Sequence, residues 1–366
     1  MPILPRNSTA LCRLVLSANQ RAATPFRHSF HSVSWRAAVA HPITAHGPPP
    51  KAPSPAPEFG DLSESRREGN QHASEQPAQP SKPSSVLKKR FWKNVDVKRK
   101  PDGDYEVMLD TRPIRTPAKD ILSIPSTKPQ LANAIALEWD VMTSAQQALK
   151  NHLIPLTSLA SRAADIAQED ARGITTSRDQ IVNVAMRYLS TDTLLCWVPE
   201  EQQYAVEETD KNGERAESLR EAQVRVAKDI IAFLSTKVWP GIDIVPILDT
   251  NSILPVSQPQ ATKDIIKQWV ASLHAYDLAA LERGIVASKS LLVAVRLVFE
   301  WSENFRQLQR PGQKRFGIEE AAEASSLEVK WQTDIWGEVE DTHDVNKEDL
   351  KRQLGSVIVV VSGETR

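Results

Sequence analysis

The sequence predicts an α+β protein: a small N-terminal domain with an antiparallel sheet and helices, followed by an all-helical C-terminal domain. Three observations carry that expectation. Apolar and polar residues alternate on both sides of Pro101-Asp102-Gly103-Asp104, the pattern of a hairpin closed by a turn. From Pro129 onward the apolar spacing changes to three and four residues, the helical period, and keeps it for most of the chain. The first 87 residues show neither period, so the folded part begins near Lys88.

Residues 1–57 contain no Asp or Glu, while Arg6, Arg13, Arg21, Arg27 and Arg36 punctuate a stretch rich in Ser, Ala and Leu. Leu4, Leu11, Leu14, Val15 and Leu16 supply a short apolar face between the arginines. This is the composition of a mitochondrial presequence, assigned to residues 1–40, with processing expected near Arg27–Ser34. Residues 41–87 form a Pro/Ser-rich linker, since ten prolines fall between 42 and 83 and little apolar surface is available to offset the entropy of ordering. His28, His31, His41 and His46 lie in these segments without a Cys or carboxylate nearby to complete a metal shell.

In the folded part, Val95 and Val97 alternate with polar neighbours, and Tyr105, Val107 and Leu109 resume the alternation after the turn. Arg112–Pro117 and Ile121–Ile124 read as short edge segments, the prolines excluding a central strand. Leu131, Ile135 and Trp139 then form an apolar helical stripe after Pro129, with Glu138 and Asp140 expected to face outward or toward a partner. Leu156–Ile166 and residues 178–189 predict two more helices, and Ser190–Thr193 a cap or turn. Residues 200–214 read as the connection between domains 88–204 and 205–366.

Beyond it, Leu219, Val226, Ile230 and Phe233 mark a helix ended by Trp239-Pro240-Gly241. Ile265, Ile266, Trp269, Val270, Leu273 and Tyr276 predict one helix and Ala279–Phe299 one or two more, with Thr262–Ala280 packed against Ile285–Trp301. Ala324, Leu327, Trp331 and Ile335 give another apolar stripe, with Glu328 and Gln332 on the adjacent face. Residues 314–352 hold eleven acids against six bases, which predicts an acidic surface. Lys347–Leu354 suggests a short helix, and the β-branched Ser356–Ser362 a final strand.

Chemistry is limited by what the chain lacks. No phosphate-binding loop, dinucleotide fingerprint, metalloprotease helix or nucleophile elbow occurs, and no cofactor is called for. Cys12 and Cys196 are the two cysteines, and one lies in the presequence, so no internal disulfide is expected after processing. Outside the first 87 residues the histidines are His152, His274 and His343, too dispersed in sequence to suggest a metal site. Leu194-Leu195-Cys196-Trp197-Val198 reads as apolar surroundings for an inert thiol. The basic runs at 88–90 and 98–100, beside Phe91, Trp92 and Tyr105, could suit RNA. Residues 88–366 nevertheless carry 36 bases against 41 acids, a balance that disfavours nucleic acid. Ile285–Phe299, the most apolar run, is interrupted by Lys289 and Arg296, so no membrane insertion is expected.

Several stretches resemble a known family: Lys89-Arg90-Phe91-Trp92-Lys93-Asn94-Val95, Ala136-Leu137-Glu138-Trp139-Asp140, His152–Leu159, Tyr188–Trp197, Ala279–Leu281, Lys289–Leu292 and Leu327–Gly337. Taken in order they resemble the mitochondrial ATP synthase assembly factor 2 family, chaperones of the alpha subunit of the catalytic sector. The resemblance implies a non-enzymatic, monomeric matrix protein that binds unassembled alpha, shields it from aggregation and hands it over for assembly with beta. It implies a smaller α/β domain followed by a helical one. It also points to Trp139, flanked by Glu138 and Asp140, as functionally sensitive. Glu328, with Gln332 and Trp336 in the same late element, is the expected partner contact. Val329 and Lys330 follow Glu328 where the family often carries further acids. A matrix enzyme with an unrecognised pocket and a ribosome- or RNA-associated protein are the alternatives.

Overall fold

A computed structural model of the protein describes residues 88–199, 217–248, 254–309 and 314–364. The presequence, the linker and the domain boundary near 204 lie outside them. Strands β1 (Val95–Arg99) and β2 (Tyr105–Leu109) pair antiparallel, with Val95 opposite Leu109 and Arg99 opposite Tyr105. The turn between them needs a left-handed residue, and Gly103 supplies it at φ +97°. Two-residue strands β3 (Arg112–Pro113) and β4 (Ser123–Ile124) also pair antiparallel with β2, making it the centre of the sheet. Val107 and Leu109 point to one face and are buried there, against helix α1 (Pro129–Asp140).

Helices α2 (Pro155–Ala171) and α3 (Thr176–Leu189) follow. After the undescribed stretch come α4 (Leu219–Phe233), α5 (Gln260–Ser272), α6 (Ala275–Ser288), α7 (Leu291–Trp301), α8 (Ile318–Trp336) and α9 (His343–Val361). Helix α4 runs on into a π-helical turn at Leu234–Val238 and stops at Trp239, as its Trp-Pro-Gly sequence predicts. Helix α6 is the hub: it packs against α2, α3, α7, α8 and α9, and Leu278, Ala279, Ala280, Leu281 and Ile285 are sealed from solvent. Its approach to α7 is so close that a Cβ on Gly284 would meet the Ala294 Cβ at 3.1 Å.

Two expectations are overturned. The helix expected to run from Ile265 through Tyr276 breaks at Leu273, whose backbone is extended. Arg178 of α3 holds the break open, because its guanidinium donates to the carbonyls of Ala271 and Leu273, each at 2.8 Å. The expected strand at Ser356–Ser362 is instead the last turns of α9. Leu354, Val357 and Val361 fall on one buried helical face, and burial against α6 overrides their β preference.

The end of α9 is held by Lys128, the residue before α1. Its side chain is buried, and its ammonium donates to the carbonyls of Val360, Val361 and Ser362 at 3.0–3.1 Å. It is also paired with Glu303 at 2.8 Å. A cation on the last carbonyls of a helix satisfies acceptors that have no partner within the helix. Replacing it with the apolar Lys128→Met strands Glu303 and three carbonyls. The expected loss is about 3 kcal/mol of unfolding free energy in urea titration; an unchanged midpoint would contradict the anchoring role.

Candidate functional site

The Glu138-Trp139-Asp140 motif closes α1 and splits between inside and outside. Glu138, expected to face outward or toward a partner, turns inward to the start of α2. That helix begins at Pro155 behind Ile154, which offers no capping side chain. Glu138 caps it from α1 instead. Its Oε1 accepts the Leu156 amide at 2.7 Å, and its Oε2 accepts the Thr157 amide at 2.9 Å and the Thr157 hydroxyl at 2.8 Å. Burial pushes the Glu138 carboxyl above its ordinary range, opposed by these donors and by the nearby Arg352.

Trp139 donates its indole N–H to the Thr157 hydroxyl at 3.0 Å, and its carbonyl accepts from the Trp92 indole at 3.3 Å. The two rings lie 5.3 Å apart. Asp140 faces solvent, with Arg90 bridging from its backbone carbonyl to that of Lys93. The motif therefore ties the segment before the sheet, α1 and α2 into one corner.

Glu328, Gln332 and Trp336 lie on α8, which bends at Ser326 (φ −123°, ψ 16°). Ser325 and Ser326 donate their hydroxyls to the carbonyls of Ala321 and Ala322, and such bonds bend helices. Before the bend, Ala321 and Ala322 are buried; beyond it the apolar stripe emerges. Leu327 and Trp331 are half-buried, Ile335 is exposed, and Trp336 is 75% exposed. Glu328 is exposed and accepts from the Gln332 amide at 3.2 Å. Glu328 is joined to the Glu138 motif by no hydrogen bond or ion pair among the described residues.

Asp192, expected only as part of a cap or turn, joins two distant segments. Fully buried, it accepts the Leu194 amide through Oδ1 and the Leu292 amide through Oδ2, both at 3.0 Å, and the Ser290 hydroxyl. One carboxylate thus caps the 3₁₀ turn at Thr193–Leu195 and the start of α7, a hundred residues later. Burial lifts its pKa to about 6 against those donors. The Cys196 thiol beside it is pushed up by burial and by the charges of Asp192 and Glu328.

A cleft of about 290 Å³ lies between α4, α7 and α8, lined by Val226, Ile230, Phe233, Arg296, Phe316 and Glu320. Arg296 is stacked on Phe233 and paired with Glu300 at 2.5 Å, and Glu320 is paired with Lys314. These pairs fix Arg296 and Glu320 in place; Asp229 and Glu323, on the same lining, are exposed to solvent. Among the described residues no group of His, Cys, Asp and Glu could hold a metal ion, and no helix is long and apolar enough to cross a membrane.

A sequence profile of the ATP12 chaperone protein family matches residues 89–235. The mitochondrial protein atp12 of Schizosaccharomyces pombe is 30% identical over 272 residues, 74% of this chain and 81% of the relative. This chain belongs to the ATP12 chaperone family. The mitochondrial protein ATP12 of Saccharomyces cerevisiae is 29% identical over 286 residues, covering 75% of this chain and 84% of the relative. A crystal structure from Agrobacterium tumefaciens shares the fold, with a TM-score of 0.52 at 20% identity over 75% of this chain and 85% of that one. The ATP12 profile includes the Glu138 motif and Asp192, whereas the bare end of α8 lies outside its 89–235 match.

The raised pKa of Asp192 makes stability depend on pH in a set direction. Between the ordinary carboxyl value near 4 and about 6, the folded chain binds a proton that the unfolded chain does not, so this group's contribution falls as pH rises. Asp192→Asn removes that titration. The difference in unfolding free energy between variant and wild type is expected to move by about 2 kcal/mol in favour of the variant from pH 4 to pH 6. Parallel urea curves across that range would refute the assignment.

Proposed function

We propose that this chain acts in the mitochondrial matrix as a monomeric chaperone of the unassembled ATP synthase alpha subunit, shielding it until beta takes its place. The single observation that carries the reading is the uncovered outer half of α8. There Val329, Ile335 and Trp336 are exposed, whereas Ala321 and Ala322 at the start of the same helix are buried. The surrounding stretch, Leu327–Gly337, is one of those that resemble the alpha-subunit chaperones. Family membership supports the chaperone class, and the Arg-rich, acid-free first 57 residues support import.

Shielding follows from surface chemistry. An unassembled subunit exposes apolar surface that its neighbour later buries, and such surface aggregates. A chaperone must cover it and then yield, which a modest apolar patch with a polar rim achieves better than a large one. Beta competing for the same surface is sufficient to drive release, so no bound nucleotide and no catalytic residue is assigned. Glu328, exposed on α8 beside that patch, is assigned to its polar rim.

The test is capture of free alpha by the full chain in the presence and absence of beta, with Glu328→Lys alongside. Wild type is expected to retain alpha stoichiometrically and to release it when beta is added. Glu328→Lys, an exposed substitution, is expected to weaken retention about tenfold with the melting temperature unchanged. If wild type fails to retain alpha even at low salt, the proposed function is wrong.

A further inference from the structure

We infer that the junction of α8 and α9 docks a basic amphipathic segment of the client, an inference that rests on the chaperone reading and names the chemistry that reading needs. Between residues 334 and 346 four apolar side chains stand in solvent: Ile335, Trp336, Val339 and Val345. The chain between the helices is folded back tightly, since the amides of Thr342 and His343 both donate to the Val339 carbonyl. The Val339 amide in turn donates to the His343 ring at Nδ1, 3.0 Å away. The four apolar groups thus belong to one tightly turned stretch, with Trp336 as the large anchor that interfaces favour.

Charge decides what can cover them. The same stretch carries Asp334, Glu338, Glu340, Asp341 and Asp344, all exposed, and no Lys or Arg. Among the described residues none of these five acids lies in an ion pair, whereas elsewhere on the two helices Glu319 pairs with Lys351, Glu320 with Lys314 and Asp349 with Arg352. Lys330 and Lys347 flank the stretch but leave its five acids in excess, so uncovered apolar surface and net negative charge coincide. An uncharged apolar partner would bury those carboxylates without compensation. Nucleic acid and anionic lipid would be repelled. A segment with apolar residues on one face and Lys or Arg beside them covers both needs at once, and its approach is accelerated by the field.

The experiment uses the full chain and two labelled synthetic helices of equal apolar content, one of leucine and lysine, the other of leucine and glutamate, read by fluorescence anisotropy. The lysine peptide is expected to bind, with affinity falling as salt rises, and the glutamate peptide not to bind. Trp336→Ala and Glu338→Lys/Glu340→Lys are each expected to weaken the lysine peptide about tenfold without moving the melting temperature, because all three side chains are exposed. Equal binding of both peptides, or unchanged affinity in both variants, overturns the docking assignment. Capture of alpha by both variants at wild-type strength overturns it too, while leaving the chaperone function standing. Peptide binding that follows the variants in a wild type that ignores alpha keeps the surface and removes the proposed client.

Discussion

The ammonium of Lys128 is the point at which the chain is tied to itself. It belongs to the residue that enters α1, yet everything it touches comes from the other end of the molecule. It meets the carbonyls that end α9, the carboxylate of Glu303 and the ring of Tyr276, 5.2 Å away. A buried cation is tolerable only when its donors are used and its charge is answered, and here both conditions are met. Neighbouring contacts reinforce the tie: the Glu364 amide donates to the Thr127 carbonyl, and Arg306 donates to the carbonyl of Gly363. Burial raises the carboxyl of Asp277, opposed by hydrogen bonds from Asn304 and Ser302 and, to a lesser degree, by the Lys128 cation. Sheet-bearing and helical parts are thus joined by a polar contact that has one geometry, where apolar packing alone would permit several.

That tie works because α6 fills the space behind it. A helix buried on nearly every side needs small residues where neighbours approach, and Ala279, Ala280 and Gly284 provide them. Asp192 and Glu138 then apply one device at two places. Each carboxylate caps a helix that starts far from it in sequence, using amides that would otherwise be buried without acceptors. The cost appears as raised carboxyl pKa values; the gain is a fixed angle between segments that are not adjacent in sequence.

These long-range anchors explain what could be read from the residues alone. The hairpin of Val95–Leu109 was legible because its register depends on a local turn and an alternation of period two. The stripe of Leu131, Ile135 and Trp139 was legible because helical spacing is local as well. The end of α9 was not: Val357, Val360 and Val361 favour strand by type, and only packing on α6 and the Lys128 cap make them helical. Nor was the break at Leu273, which depends on Arg178 some ninety residues earlier. At the candidate site, the spacing of Glu328 and Gln332 correctly implied one face of a helix. The inward turn of Glu138 was hidden because two of its three donors are backbone amides, which carry no sequence signature.

The bare end of α8 looks different once the rest of the molecule is fixed. Its stripe begins as core and continues past the bend at Ser326 with the same spacing, but no other described helix covers Ile335 and Trp336. Such a surface would associate with itself if it were neutral, and charges placed among apolar residues are the usual defence. Asp334, Glu338, Glu340, Asp341 and Asp344 provide that defence. The defence has a second consequence, because a charge that repels another copy of the same patch attracts its electrostatic opposite. On the proposed docking, the same side chains would set both the solubility of the free chain and its choice of client. Adding apolar area without acids would raise affinity at the expense of solubility. Adding acids without apolar area would leave a surface that binds only at low salt.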